Sequence, residues 1–548
     1  MFFNGLLSEQ FGRIKDLIRS LFVSMSEDDR AAAALVVLEA TGCSRPSTLE
    51  QTMTEQDQLT TVGQLPNRTN PESLLPAVLT RLVWLLWVAT LGVLGVRLWT
   101  DGTWGISGVV AVDGLTVVMW TVVTFFSGIV HSYSRRYMAG QQQIERFFAG
   151  VFGFTLVVMV LVAADHIALF AVAWLAMGLT MAELIGHVQE WPQAQAAAGL
   201  ARRYFLASGG LLTVALATLW VSTGATSISG IAAAADTVPF TPWLVAAGAL
   251  LGAAMIQSAL VPFQTWLLAS MTAPTPASAL MHAGFVNAGG VLLVRFAPVI
   301  SVDARFMLLV VVVGAISALS GKFLKSVQPD IKSQLGCSTV GQMGFMIMQA
   351  GLGFFGAAIT HLILHGFYKA YQFLSAGDGV TQTSPTKTKH KPRSLSAIGF
   401  LVTVLTAVVG GILFGVLTGK GLSVDSGLLL ALLVVLTTLH ATRNALAQTS
   451  VSAATRYGLI PLVFLPAIAV YAGAYTAIAG IMKGIPIVAA PAELTAVHGV
   501  VAVAFAIAYV VIETGLYQRS QRLYVALLNA TQPPSETILT STEEYNEY

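Results

Sequence analysis

The chain has 548 residues, 55% of them hydrophobic and only 10% charged, with a net charge of +2 and a mean hydropathy of +0.73. An ordinary soluble domain carries about 25% charged residues, so this composition excludes a soluble globular protein and describes a polytopic membrane protein. The basic residues are scattered, leaving no electrostatic footprint for nucleic acid, and two cysteines, Cys43 and Cys337, support neither a disulfide framework nor a thiolate metal site.

Residues 1–75 are the polar exception. FGRIKDLIRSLFVSM (11–25) has amphipathic helical spacing, and a stretch rich in Ser, Thr, Gln and Pro runs from it to Pro71. These residues are predicted to form a cytoplasmic extension, a surface or partner-docking helix followed by a linker; an unstructured tail fits the pattern equally. The opening residues lack the basic, apolar, small-residue order of a cleavable signal peptide.

From Leu75 onward, apolar segments of about 20 residues follow one another, each long enough to cross about 30 Å of hydrocarbon. About fourteen spans are predicted within 76–516, near 76–99, 107–131, 146–164, 166–187, 203–222, 240–271, 277–299, 305–321, 329–351, 353–376, 397–418, 426–447, 457–480 and 494–516. The sixth is too long for one straight crossing and carries Pro262, which removes a backbone hydrogen bond, so a broken helix is expected there. APTPASALMHAG (273–284) then turns the chain into the seventh. Connections after even-numbered spans hold Arg135, Arg136, Arg146, Arg202, Arg203, Lys322 and Lys325, and the loop 378–395 adds four more basic residues. Those after odd-numbered spans hold only Arg305, Lys420 and Lys483, so both termini, including the tail 517–548, are predicted to be cytoplasmic.

Ionisable groups inside the spans are costly and by default mark function. The candidates are Glu183, Arg203, His282, Lys332, His361, His365 and Lys369. Glu183 and Arg203 lie near span ends, where they are either interfacial anchors or a mutual ion pair. His282 follows the Pro-Thr-Pro turn and serves either to satisfy carbonyls freed at the helix break or as a proton relay. His361, His365 and Lys369 recur every fourth residue, each step drifting only about 40° around a helix, so they share one face. A histidine titrates near neutrality, and burial lowers a lysine towards it, so such a row suits proton transfer. Zinc fits poorly: the helix supplies no third ligand, and Lys369 would repel the metal. No cofactor is expected in this chain.

The motifs VDGLTVVMW (112–120), VPFQTWLLASMTAPTPASALMHAG (261–284), PDIKSQLGCSTVGQMGFM (329–346) and HLILHGFYKAYQFLSAG (361–377) resemble the antiporter-like membrane subunits shared by respiratory complex I and the Mrp sodium/proton antiporters. The resemblance covers about 105–380. It implies an all-α bundle of two inverted five-helix repeats with broken helices, and a hydrated polar axis at mid-membrane. His282, Lys332, His361, His365 and Lys369 match that family's proton-path positions. Three positions depart from its pattern. Leu175 stands where a glutamate is usual, with Glu183 about two turns on. Gln257 replaces the lysine before the first break. GGILFGVLTGKG (410–421) has no central lysine, and Lys420 lies near the loop.

These departures and the RLYVALLN tail resemble the membrane subunits of bacterial DAB inorganic-carbon pumps. That resemblance implies an inner-membrane protein conducting protons or another cation, with a large cytoplasmic DabA-like partner whose carbonic-anhydrase-like zinc site hydrates CO2. A complex I or Mrp-type subunit is the alternative; an anchor with a decayed channel is a third reading, suggested by Leu175 and Gln257.

Overall fold

Hydrocarbon offers no hydrogen-bond partners, so a spanning chain must pair its backbone groups internally, and helices do this within one segment. The computed structural model describes residues 73–100, 102–378, 397–448, 453–483, 485 and 489–537. The predicted amphipathic helix at 11–25, its linker and the basic loop 379–395 lie outside the described residues.

Among the described residues, membrane-length helices follow in the predicted order: α1 (Leu75–Trp99), α2 (Gly114–Tyr137), α3 (Ile144–Ala163), α4 (Ile167–Ile185), α5 (Pro192–Thr223), α6 (Phe240–Gln257), α7 (Thr275–Arg295), α8 (Ala304–Ser326), α9 (Ile331–Gly351), α10 (Phe355–Asp378), α11 (Ala397–Thr418), α12 (Gly427–Gln448), α13 (Ala453–Ile481) and α14 (Ala496–Glu513). Eleven of the described helices are long and apolar enough to cross a membrane. The other three, α9, α10 and α12, occupy predicted spans; α9 and α10 carry the polar motifs above. A short amphipathic helix, α15 (Gln521–Asn529), follows.

Two boundaries moved for local reasons. The second span was expected from 107, but β1 (Trp104–Ile106) pairs antiparallel with β2 (Val110–Val112), and the helix starts only at Gly114. Asp113 is its N-cap, accepting from Thr116 N at 2.9 Å. The fifth helix starts at Pro192 rather than near 203, because proline is favoured in a helix's first turn.

The sixth span breaks as expected. α6 ends at Gln257, residues 258–264 leave helical geometry around Pro262, and a short helix resumes at Thr265–Ala269. The freed polar groups find partners: Ser317 Oγ of α8 accepts from Val261 N at 3.1 Å, and Trp266 Nε1 donates to Ile256 O at 2.9 Å. Ser258 Oγ donates to Val286 O at 2.7 Å, in the middle of α7. α7 is itself two pieces, Thr275–Ala283 and Ala288–Arg295, joined by a 3-10 turn at Phe285–Asn287. α11 runs unbroken past Gly410 and Gly411, and the chain leaves it through Gly419 and Gly421, both at positive φ.

α7 is almost wholly buried, with the other spans around it. α8 and α9 approach backbone to backbone: a Cβ on Gly344 would sit 2.5 Å from Ala318 N, and one on Gly314 would sit 2.5 Å from Met348 N. Small residues at such a seam allow van der Waals packing where no hydrophobic force exists between helices. The outward faces are apolar, with Leu85 and Val88 on α1, Leu401 and Ile412 on α11 and Val500 and Val503 on α14 all exposed, as lipid contact requires. An ion pair locks the end of α7 to the start of α2. Arg295 binds Asp113 and also donates to Val162 O at 2.6 Å and Thr116 Oγ1 at 3.1 Å.

Two predictions follow from this packing. Gly344→Leu should lower stability in detergent by about 3 kcal/mol, the top of the usual overpacking range, while Leu309→Ala on the lipid face should leave the melting temperature nearly unchanged. Asp113→Asn should cost about 3–5 kcal/mol, because it strands a largely buried guanidinium. Burial alone raises the Asp113 carboxyl, but Arg295 and the Thr116 hydrogen bonds outweigh it and hold it below the ordinary carboxylate range. The pair's contribution is therefore full above the unfolded carboxylate value and is lost as pH falls through the lower folded one. Acid unfolding of the wild type and of D113N, followed by intrinsic fluorescence, reads this difference.

Candidate functional site

The four-residue spacing on α10 places its ionisable row towards the bundle interior. Lys369 is fully buried and His365 is 6% exposed. The His361 and His365 rings stack with centroids 6.0 Å apart and planes 17° apart, and Phe345 of α9 packs on His361 at 5.2 Å. Three of their ring nitrogens, His361 Nε2 and both nitrogens of His365, are buried without a protein partner. Lys369 Nζ donates to Leu335 O of α9 at 2.7 Å, a carbonyl rather than a counter-ion. A buried ammonium that meets a carbonyl and no carboxylate is costly to hold inside a membrane, so its position marks a candidate functional group.

The row continues onto α7 and α9. His282 is fully buried, its ring stacked on Phe373 of α10 at 4.4 Å, with Nδ1 2.9 Å from Thr339 Oγ1 of α9. Its Nε2 has no protein partner. Lys332, at the start of α9, reaches back to the carbonyls of Met271 and Ala273 at 3.4 and 3.3 Å, just beyond the helix break. His282, Lys332, His361, His365 and Lys369 thus lie on the three facing helices α7, α9 and α10. Buried polar atoms are rarely left unpaired, so the orphaned nitrogens mark a line that water can occupy.

Gln257 extends that line to the break. It is fully buried with neither side-chain amide atom paired, and Asn287 Oδ1 is likewise unpartnered. The lysine position is therefore polar, though uncharged. On the other side His361 faces a cavity of about 680 Å³ between α8, α9, α12, α13 and α14.

Glu183 and Arg203 are elsewhere. Glu183 is about half exposed and pairs with Arg146 and Arg202, both at 2.8 Å. The suggested Glu183–Arg203 pair does not form: neighbouring residues on a helix point about 100° apart, and α5 turns Arg202 to Glu183 while Arg203 faces outward. Neither joins the buried row, and Glu183 does not refill the position of Leu175.

Two features lacked a sequence signal strong enough to find them. Lys420, read as a loop residue, is only 7% exposed, with its amine 3.6 Å from the Tyr475 ring centroid and 4.5 Å from that of Phe354. Its aromatic partners lie 55 and 66 positions away in sequence, so no local pattern announces them. Asp113 lies in the motif VDGLTVVMW, but its partner Arg295 is 182 residues distant. Among the described residues no group of three or more His, Cys, Asp or Glu is arranged to hold a metal ion.

A hydratable row is open to direct test. In a cysteine-free background, His361→Cys and His365→Cys should react with a water-borne methanethiosulfonate at least about tenfold faster than Leu362→Cys, because modification follows access to the thiolate. Equal rates at all three positions would show the row to be dry.

The profile of the family described as NADH:quinone oxidoreductase/Mrp antiporter, TM, matches residues 164–455, and that of NADH-ubiquinone oxidoreductase (complex I), chain 5 N-terminus, matches 99–148. The chain is 41% identical over 278 residues to a probable inorganic carbon transporter subunit DabB1 of Halothiobacillus neapolitanus, covering 49% of each chain. It is 36% identical over 289 residues to NADH-quinone oxidoreductase subunit L of Escherichia coli, covering 51% of this chain and 47% of that one. It thus spans about half the length of these curated relatives. The Mrp complex of Dietzia sp. DQ12-45-1b shares the fold, with a TM-score of 0.51 at 24% identity over 83% of this chain and 49% of that one. With the first profile matching more than half of its residues, the chain belongs to the NADH:quinone oxidoreductase/Mrp antiporter transmembrane family and is a multi-pass, antiporter-like membrane subunit.

Proposed function

We propose that this chain is the membrane subunit of an energy-coupled inorganic-carbon uptake complex, conducting protons or another cation along the α7–α9–α10 row. The observation that carries conduction is the buried stripe of His361, His365 and Lys369, whose polar atoms meet no counter-charge. The carbon assignment is supported by the similarity to relatives described as probable inorganic carbon transporter subunits, such as DabB1 of Halothiobacillus neapolitanus.

In this reading protons step between His361 and His365 and on to Lys369, with water bridging the 6.0 Å between the rings. Lys369 releases its proton and turns from the Leu335 carbonyl, and His282 and Lys332 continue the relay towards the cytoplasm. Both termini lie on the cytoplasmic side of a bacterial inner membrane. There a large DabA-like partner holds the zinc site at which CO2 is hydrated, and this chain supplies the driving force. One charge crossing 100 mV yields about 2.3 kcal/mol, enough to bias a near-equilibrium hydration roughly fiftyfold.

A second reading, a subunit of a complex I or Mrp-type assembly, is favoured by the similarity to subunit L. The partner discriminates. Purification of the full-length chain from its native membrane should bring down one large zinc-containing protein; quinone-oxidoreductase or Mrp subunits in its place would overturn the carbon reading. Lys369→Ala and His365→Ala should each assemble at wild-type level yet abolish growth at ambient CO2 in a host lacking carbonic anhydrase. Full growth of both variants would refute conduction through the stripe.

A further inference from the structure

The cavity beyond His361 has a titratable group at its other end. It runs along α9 from Ser338 to Gln349, about 16 Å of helix rise. His361 and Gln349 line its inner part, and Lys322 and His440 line it near the C-terminal ends of α8 and α12. There Lys322 Nζ lies 2.8 Å from His440 Nε2, while His440 Nδ1 binds the Glu513 carboxylate of α14. The second Glu513 oxygen is held by Arg443 Nε at 2.9 Å. Glu513 is 8% exposed, whereas His440 keeps 27% of its side chain accessible. Lys325 on α8 and Tyr509 on α14 also face the cluster, and Gln342, Tyr368, Thr437 and Thr438 line the same cavity.

We propose that Lys322, His440 and Glu513 form a proton-loading port for the cavity that leads to His361. The inference rests on conduction through the α10 stripe and names where protons join it. Both imidazole nitrogens of His440 are engaged, one by an amine and the other by a carboxylate. The Lys322–His440 contact holds one proton, either as ammonium with neutral imidazole or as amine with imidazolium. Moving between these forms breaks one N–H bond and makes another across 2.8 Å, and Glu513 balances the imidazolium charge. When the Lys322 ammonium gives its proton to water in the cavity, its amine turns from His440 Nε2, that nitrogen takes one proton from water on the aqueous side, and the imidazolium passes it back to the amine as the contact re-forms. Arg443 fixes the carboxylate but cannot itself exchange protons. The cluster lies in the C-terminal halves of all three helices, towards the side that the arginine and lysine bias assigns to the cytoplasm.

An ion-pair clamp tying α8, α12 and α14 together is the structural alternative, and one substitution separates the two. Lys322→Arg keeps the positive charge and a donor to His440, but a guanidinium does not deprotonate. The full-length chain, purified with its native partners, would be reconstituted in liposomes under a potassium diffusion potential, with entry of protons read by a trapped pH dye. The port predicts that K322R assembles and melts like wild type but loses proton flux by about a hundredfold, the low end of what a positioned acid–base group contributes. Glu513→Gln should reduce flux and displace its pH profile, and Glu513→Asp should restore part of both. Unchanged flux in K322R, with K369A inactive, would overturn the port and leave the stripe standing. Flux surviving in K369A would instead overturn the conduction reading on which the port depends.

Discussion

Hydrocarbon supplies no hydrogen bonds, and the cost of a polar group left unpaired in it organises this protein. Helices answer the cost for the backbone. Where α6 stops, around Pro262, side chains from neighbouring elements take over: Ser317 from α8, Ser258 reaching to α7, and Trp266 folding back on Ile256. The break is thus built into the surrounding packing. It also sets Gln257 and the divided α7 beside each other in the interior, so irregular backbone and polar side chains share one buried region.

The same cost separates polar groups that are paired from those that are not. Asp113 and Arg295 pair with each other and pin α7 to α2, and Glu183 is paired with two arginines at an exposed helix end. By contrast, His361, His365, His282 and Gln257 carry buried nitrogens or oxygens with no protein partner, and Lys369 has only a carbonyl. Several such groups in one row, on the three facing helices α7, α9 and α10, form a polar line through an apolar bundle. Lys420, boxed by Phe354 and Tyr475, shows a further way to hold a cation, since the faces of two rings attract it without an opposing charge.

Much of this was legible in the residues. Hydropathy runs of membrane length gave the helix order, and Pro262 gave the break, because both are consequences of short stretches of chain. The period of four gave the α10 face for the same reason. Boundaries set by capping were less legible: the hairpin before Asp113 and the early start at Pro192 compete with apolar runs that extend across them. Of the two readings of Glu183, the pair with Arg203 does not form and Arg202 stands in that place, since hydropathy places a helix in depth but not in rotation.

The sequence by itself determined that the chain is a helical membrane bundle, where its sixth span fails, and which ionisable groups share a helix face. Those properties depend on backbone geometry and on transfer of residues from water to hydrocarbon, both read within about twenty positions. Only the tertiary structure decided which groups are paired and which stand alone. Arg295 meets Asp113, Lys420 enters an aromatic box, and Lys322, His440 and Glu513 converge at a cavity that reaches His361. Each of these contacts joins residues tens to hundreds of positions apart, and the energy of a charge inside a membrane is set by what faces it across the helices.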